Sequence, residues 1–240
     1  MDTLIPPGNW AVPAFVTGLT AEARIARHAG WPVAAGGGTT AGAYQAARRL
    51  LENGATGLVS FGLAGGLDPA LPPGTLIVAK GVIAMGRIWR TDAALNARLG
   101  GVTDHLILAL DRIAASANEK LALGDETGAV AADMESEAVV AAADAAGLPF
   151  AVLRAICDPA ERDLPPAAIA GLDAHGRIAA WAVAGSILRH PGQIAALICL
   201  ARDAAAARRA LAARIAQLAV HEAGGHEAGG HEAGRLVIPR

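Results

Sequence analysis

Short apolar runs, each closed by glycine and followed by a helix-like stretch, recur along the chain. Residues 12–17 form a short apolar strand ended by Gly18. Thr20 is placed to cap a helix over 21–29, with Glu22 in its first turn. A second strand, 32–35, runs into Gly36-Gly37-Gly38-Thr39-Thr40, and a helix over 41–52 stops at Asn53-Gly54. Residues 58–61 read as a buried strand leading to a loop, Gly62-Leu63-Ala64-Gly65-Gly66-Leu67-Asp68-Pro69. The turn Pro72-Pro73-Gly74 precedes a longer strand over 75–84. Between 86 and 118 the pattern is weak, and 102–110 fits strand or helix equally. The rhythm resumes with an Ala/Val-rich helix that begins at Asp133-Met134-Glu135, then a strand over 149–156 ending in Arg154-Ala155-Ile156-Cys157-Asp158-Pro159. Residues 165–172 read as a loop or short helix. A helix over 177–189 is broken by Pro191-Gly192, and another over 193–220 carries Arg202, Arg208, Arg209 and Arg214 on its polar side. This strand–turn–helix alternation predicts an α/β fold with a mostly parallel sheet covered on both faces.

Length and charge narrow the reading. The 240 residues suit one large domain over 1–220. The formal charge of −2 gives no electrostatic basis for nucleic-acid binding. Cys157 and Cys199 are too few for a disulfide framework and fit a reducing, cytoplasmic setting. The N-terminus lacks the pattern of a signal peptide. The mean hydropathy is positive, yet the apolar runs are Ala-rich and fall short of the roughly 20 residues of a spanning helix. Five-residue repeats begin at His221, His226 and His231. Their spacing aligns the imidazoles on neither a helix nor a strand face, so 221–240 reads as a mobile low-complexity tail, and no metal or cofactor is assigned.

Two glycine-rich stretches invite a nucleotide-binding reading. The run from Gly62 to Leu67 follows a strand, but prolines and another strand follow it where a dinucleotide fingerprint needs a helix. It can instead be a tight turn, or a place where backbone approaches a ligand. Glu135 and Asp158 stand where helix and strand ends meet loops, the usual place for sites in parallel sheets. Each also has a structural reading: Glu135, like Asp133, can complement a helix dipole, and Asp158 can be a turn residue before proline. Arg154, four residues before Asp158 on an extended chain, would share its face and pair with or orient it.

The acid-Met-Glu segment at Asp133-Met134-Glu135, followed by Arg154-Ala155-Ile156-Cys157-Asp158, resembles the purine nucleoside phosphorylase and nucleosidase superfamily. The run Leu164-Pro165-Pro166-Ala167-Ala168 and the basic C-terminal helix are similar to its hopanoid-associated branch, linked to cutting adenine from adenosylhopane. The resemblance implies a three-layer α/β/α nucleoside phosphorylase-like fold, a cytoplasmic homo-oligomer and cleavage of a purine N-glycosidic bond without a cofactor. It implies that Glu135 holds the ribose hydroxyls, that Met134 packs under the sugar, and that Ala64, Gly65 and Gly66 approach the nucleoside. Arg154 and Cys157 would lie beside the substrate, and Asp158 would protonate the leaving base. Burial in an apolar pocket could keep that carboxyl protonated.

The acceptor has two readings. Glu22, after Gly18, is placed like the glutamate with which nucleosidases activate water. A phosphate cradle could instead come from Arg24, Gly37, Gly38, Thr39 and Thr40. Residues 58–61 lack the arginine that phosphorylases carry there, which favours water. No aromatic stands near Asn118-Glu119-Lys120-Leu121, where nucleosidases stack the base. The substrate would be a lipid-linked adenosine, or methylthioadenosine or adenosylhomocysteine. A silent nucleoside-binding protein and a membrane-associated partner, using Trp181 and the basic helices at the inner membrane face, are the readings from other classes.

Overall fold

The computed structural model describes residues 12–170 and 180–229. Among the described residues, nine strands form one mixed sheet: β1 (Ala14–Thr17), β2 (Val33–Ala35), β3 (Leu58–Gly66), β4 (Leu76–Val78), β5 (Gly81–Ala84), β6 (Arg87–Arg90), β7 (Leu106–Ala109), β8 (Ala131–Asp133) and β9 (Phe150–Asp158). The helices are α1 (Thr20–Ala26), α2 (Thr40–Glu52), α3 (Ala93–Arg98), α4 (Ala117–Thr127), α5 (Ser136–Ala146), α6 (Pro166–Ala170), α7 (Ala180–Arg189) and α8 (Ile194–Gly229). The strands run β2-β1-β3-β8-β7-β5-β6, while β9 pairs with β3 and β4. Most pairings are parallel; β3 with β8, β4 with β9 and β5 with β6 are antiparallel. The expected α/β fold with a mostly parallel central sheet is the one observed.

Alternation along the central strands sorts side chains into two cores, because successive residues of a strand face opposite ways. Ala14, Val16, Leu58, Val152 and Ile156 meet α2 and α5, whose contact is built from Ala43, Ala46, Ala47, Ala138, Ala142 and Ala143. Phe15, Val59, Phe61 and Leu153 face α1 and α8. On α8 the residues Ala207, Leu211, Ile215 and Leu218 recur at helical spacing and are buried on the sheet. Burying each large side chain stabilises the fold by roughly 1.5–3 kcal/mol. Phe15 stacks on Trp31 at 5.1 Å and meets Phe61 edge-on at 5.3 Å, which anchors β1 beside β3.

Several elements differ from the sequence expectation, each for a local reason. The glycine run after Phe61 is not a loop: β3 continues to Gly66 and pairs with β9 along its length. Missing side chains make this possible, since a Cβ on Gly66 would sit 3.1 Å from the Asp158 carbonyl oxygen. The single strand expected over 75–84 is split into β4, beside β9, and β5, between β6 and β7. Residues 102–110 resolve to the short strand β7, β6 and α3 fall where the pattern is weak, and α4 is marked only at its ends, by Ser116 with Glu119 and by Gly128. Thr20 lies inside α1 rather than before it, and the Glu22 carboxylate accepts from the Leu19 N–H at 2.8 Å. The final helix does not end at Val220: α8 runs through His221 and His226 to Gly229, whereas His231 lies outside the described residues. The start of the helix expected over 177–189 also lies partly outside them, and α7 is described from Ala180.

Candidate active site

The pairing of β3 leaves a short gap that organises the site. One side of β3 runs beside β9; the other pairs with β1 through Phe61 and with β8 only from Gly65. Leu63 lies in that gap, and its backbone needs partners because unpaired buried amides are costly. Its N–H donates to Glu22 Oε1 at 2.9 Å, and its carbonyl accepts from Arg154 Nη1 at 3.2 Å. Helix α1 from one side and β9 from the other thereby bring a carboxyl group and a guanidinium to the same point of the sheet.

Arg154 is fully buried and ties the acids together. Its Nη2 donates to Ser60 Oγ at 2.7 Å and lies 3.2 Å from Glu135 Oε2, while Nε is 2.7 Å from Asp133 Oδ2. Asp133 also caps the start of α5, where its Oδ1 accepts from the Ser136 N–H at 2.9 Å. The dipole role expected for Asp133 therefore coexists with a buried ion pair. Glu135 precedes α5 but makes no capping hydrogen bond, which leaves its carboxylate to the site. That carboxylate lies against Gly18, where any Cβ would fall on Oε1. Gly18→Ala should consequently displace Glu135 and cost roughly 1–3 kcal/mol, the usual range for overpacking; thermal melts of the two proteins check this.

The electrostatic balance is anionic. One guanidinium faces three buried carboxylates, Asp133, Glu135 and Glu22. Burial pushes Glu135 up to about 7, with Arg154 opposing and Asp133 and Glu22 adding repulsion. Burial likewise raises Glu22 above the ordinary carboxylate value, against the pull of Arg154. A Cβ on Gly62 would meet Glu22 Oε1 at 2.6 Å and Arg154 Nη1 at 2.8 Å, so both polar groups pack directly on that glycine. Such a cluster favours any ligand that develops positive charge between the acids.

The expected pairing of Arg154 with Asp158 does not occur. In β9, Ile156 pairs with Ala64 and Asp158 with Gly65, so Cys157 is an extra residue that breaks the alternation. Asp158 is turned instead toward Lys120 of α4, and the two form a buried ion pair. Burial raises Asp158, and Lys120 pulls it down. The sequence draws attention to Asn118-Glu119-Lys120-Leu121 only for its missing aromatic, and a lysine beside Glu119 near a helix start reads as surface. Cys157, half-buried between these groups, is pushed up to about 12, mainly by burial, then by Asp158 and Glu22, so it stays a thiol.

The remaining expected residues divide. Met134 is half-buried beside Glu135, and its carbonyl accepts from Thr40 Oγ at 3.2 Å. Ala64 and Gly66 are buried and Gly65 half-buried at the end of β3. Gly37 and Gly38 adopt positive φ, and Gly38 donates its N–H to the Gly18 carbonyl at 2.9 Å. Thr39 caps α2 by accepting from the Gly42 N–H at 3.1 Å. Arg24 is exposed two residues after buried Glu22, on the far side of α1, so it is not brought to the others. Among the described residues no group of three or more potential ligands could hold a metal ion, and no helix is long and apolar enough to cross a membrane.

Known proteins share this architecture. A family model described as the phosphorylase superfamily matches residues 33–98 and 102–186. No curated protein sequence matches the chain. The fold is similar to that of the 5'-methylthioadenosine/S-adenosylhomocysteine nucleosidase of Neisseria meningitidis, solved with methylthio-immucillin-A. The TM-score is 0.64 at 16% identity, over 87% of this chain and 98% of that one. The futalosine hydrolase of Helicobacter pylori gives a TM-score of 0.60 at 16% identity, over 87% and 97%. A methylthioadenosine/S-adenosylhomocysteine nucleosidase of Colwellia psychrerythraea, solved with adenine, gives 0.57 at 17%, over 78% and 97%.

Proposed function

The chain belongs to the phosphorylase superfamily of enzymes, and from that premise we propose that it cleaves a purine N-glycosidic bond with water as acceptor. The observation that carries the choice of water is the charge of the site. Glu22 is buried with a raised proton affinity, beside Glu135, and Arg154 is already engaged by Asp133, Glu135, Ser60 and Leu63. A phosphate anion entering there would meet carboxylates and find no free cation among the described residues near Glu22. A water molecule would find a base. As the glycosidic bond stretches, positive charge grows on the ribose and Glu135 stabilises it, holding the sugar hydroxyls at the same time. Glu22 takes the proton of the attacking water, and the purine leaves neutral after protonation from the side of Asp158.

The substrate we propose is an adenosine with a large 5' substituent, in the finer reading adenosylhopane, from which ribosylhopane would remain. The exposed Leu188, Ile194 and Ile198, where α7 meets α8, support contact with an apolar substituent or membrane surface. A panel of adenosylhopane, methylthioadenosine, adenosylhomocysteine and inosine tests this, with free base measured by chromatography. Adenine released fastest from adenosylhopane supports the finer reading. Preference for methylthioadenosine replaces it with an ordinary nucleosidase, and binding without release of any base contradicts catalysis.

The pH dependence has a defined sign. Glu135 titrates near 7 in the folded protein against an ordinary value of 4.5. Its protonated form contributes stability that is full below about 4.5 and is lost as pH rises through about 7. Activity should run the opposite way, with kcat/KM climbing through a limb near pH 7 as Glu135 ionises. Parallel melts and pH–rate profiles check both halves, and Glu135→Gln should remove this group's share of each.

A further inference from the structure

Lys120 is a buried charged residue beside Asp158 that the chemistry so far leaves unused. It is 1% exposed, and its ammonium meets Asp158 Oδ2, the Pro159 carbonyl at 3.1 Å and the Arg162 carbonyl at 2.7 Å. Three acceptors take up its three hydrogens, so Lys120 is held as a cation. Two further bonds stitch α4 to the same loop: Ala117 N–H to Asp163 Oδ1 at 2.7 Å, and Leu164 N–H to the Ala115 carbonyl at 2.8 Å. One turn on, a Cβ at Gly124 would sit 2.8 Å from the Leu67 carbonyl oxygen, so α4 lies hard against the end of β3. A helix placed this way delivers one cation to one carboxylate.

That pairing creates a chemical problem which points to its solution. The buried ammonium favours the carboxylate form of Asp158 against the burial that raises its proton affinity, yet the base can leave neutral only if a proton reaches it. On the reading that this is a purine nucleosidase, the geometry points to Lys120 and Asp158 acting as one proton-donating unit, with Lys120 the source. As the C1'–N9 bond breaks, its electron pair passes to the purine. Asp158 places a proton on purine N7 and takes one from the Lys120 ammonium, leaving a neutral amine. Water adds its oxygen to C1' and its proton to Glu22, and exchange with solvent after product release returns Lys120 to the cation and Glu22 to the carboxylate. Lys120 acts through Asp158 and is a positioning and proton-supplying residue; only Asp158 faces the base. The other charged groups around the pair are Arg162, in the loop after β9, and Asp203 of α8, which hold each other at 2.8 Å. Glu22 lies beyond Cys157.

The test compares wild type, Lys120→Met and Lys120→Arg across pH 5 to 9, with melts to establish folding. Lys120→Met should lose roughly 10²-fold or more in kcat at pH 8, and the gap should close toward pH 5, where Asp158 draws its proton from solvent. Lys120→Arg keeps the cation but cannot give up its proton, and should stay impaired at pH 8. A loss equal at every pH, or full recovery with arginine, would overturn the proposal while leaving an active wild type and the nucleosidase reading intact. A wild type that releases no base from any purine nucleoside overturns the nucleosidase reading and this proposal with it. Infrared difference spectra against Asp158→Asn give a readout independent of turnover: at pH 5 Asp158 should be ionised in wild type and protonated in Lys120→Met. An Asp158 band unchanged between the two removes the pairing on which the proposal stands.

Discussion

Replacing Glu22 with glutamine should lower kcat for base release by roughly 10²–10⁴, the usual worth of a positioned general base. The substitution keeps shape and hydrogen-bond length but removes the basic oxygen that receives a proton from water. The amide oxygen of the new side chain can accept from only one of the two amides that the carboxylate serves, the Leu63 N–H at 2.9 Å and the Leu19 N–H at 2.8 Å, so the other loses its acceptor. Loss of one of three buried carboxylates around a single guanidinium relieves repulsion and offsets part of that cost, leaving a stability deficit of roughly 1–3 kcal/mol at most. KM should change little if the sugar is held by Glu135. A variant with native kcat would remove Glu22 from the mechanism and return attention to phosphate at Gly37 to Thr40.

Arg154→Met is expected to have the largest effect on stability, about 3–5 kcal/mol, the range for breaking a buried ion pair by removing one partner. Methionine fills part of the space but leaves Asp133, Glu135 and Glu22 buried without their shared cation. It also strands the Leu63 carbonyl and removes one of the two hydrogen bonds at the Ser60 hydroxyl, whose other partner is Ser136 at 3.0 Å. The deficit should shrink as pH falls and the acids take up protons. Denaturant titrations at pH 5 and pH 8 check this, and an equal loss at both would mean that packing, not charge, is what Arg154 supplies.

Much of the site is legible in the sequence because its residues sit at ends of elements that the sequence marks clearly. Glu135 opens a helix bounded by Gly147, and Asp158 ends a strand rich in aliphatic residues, so both positions follow from periodicity and punctuation. Gly18 and Glu22 are placed for the same reason. Strand β3 is longer than its pattern suggests because glycine normally ends a strand. Here Gly62 and Gly66 instead clear room for neighbours that pack on the strand, and that is a tertiary property. The partner of Asp158 differs from the expected one because alternation assumes an unbroken register, and Cys157 breaks it. Lys120 escapes a sequence reading for a deeper reason: its importance comes from where α4 lands, and nothing local distinguishes it from a solvated lysine.

The same distinction applies to the C-terminal helices. Arginines on a long Ala-rich helix suggest a surface for lipid, yet the apolar face of α8 is used up on the sheet by Ala207, Leu211, Ile215 and Leu218. Arg214 donates to the Leu99 carbonyl at 2.6 Å, and Arg98 pairs with Glu222 at 2.8 Å. These contacts make α8 a cover for the sheet. Any contact with a lipid substituent falls to the exposed apolar residues at its start and at the end of α7.

The central claim is that water, not phosphate, is the acceptor, and it can be read directly from the product. The wild-type protein is incubated with an adenosine substrate in ¹⁸O-labelled water containing ordinary phosphate, and the sugar is analysed by mass spectrometry. In samples quenched faster than a free sugar exchanges its C1 oxygen with water, the account predicts a sugar carrying one ¹⁸O at C1, formed at a rate independent of phosphate. A sugar 1-phosphate, appearing only when phosphate is present, would contradict it.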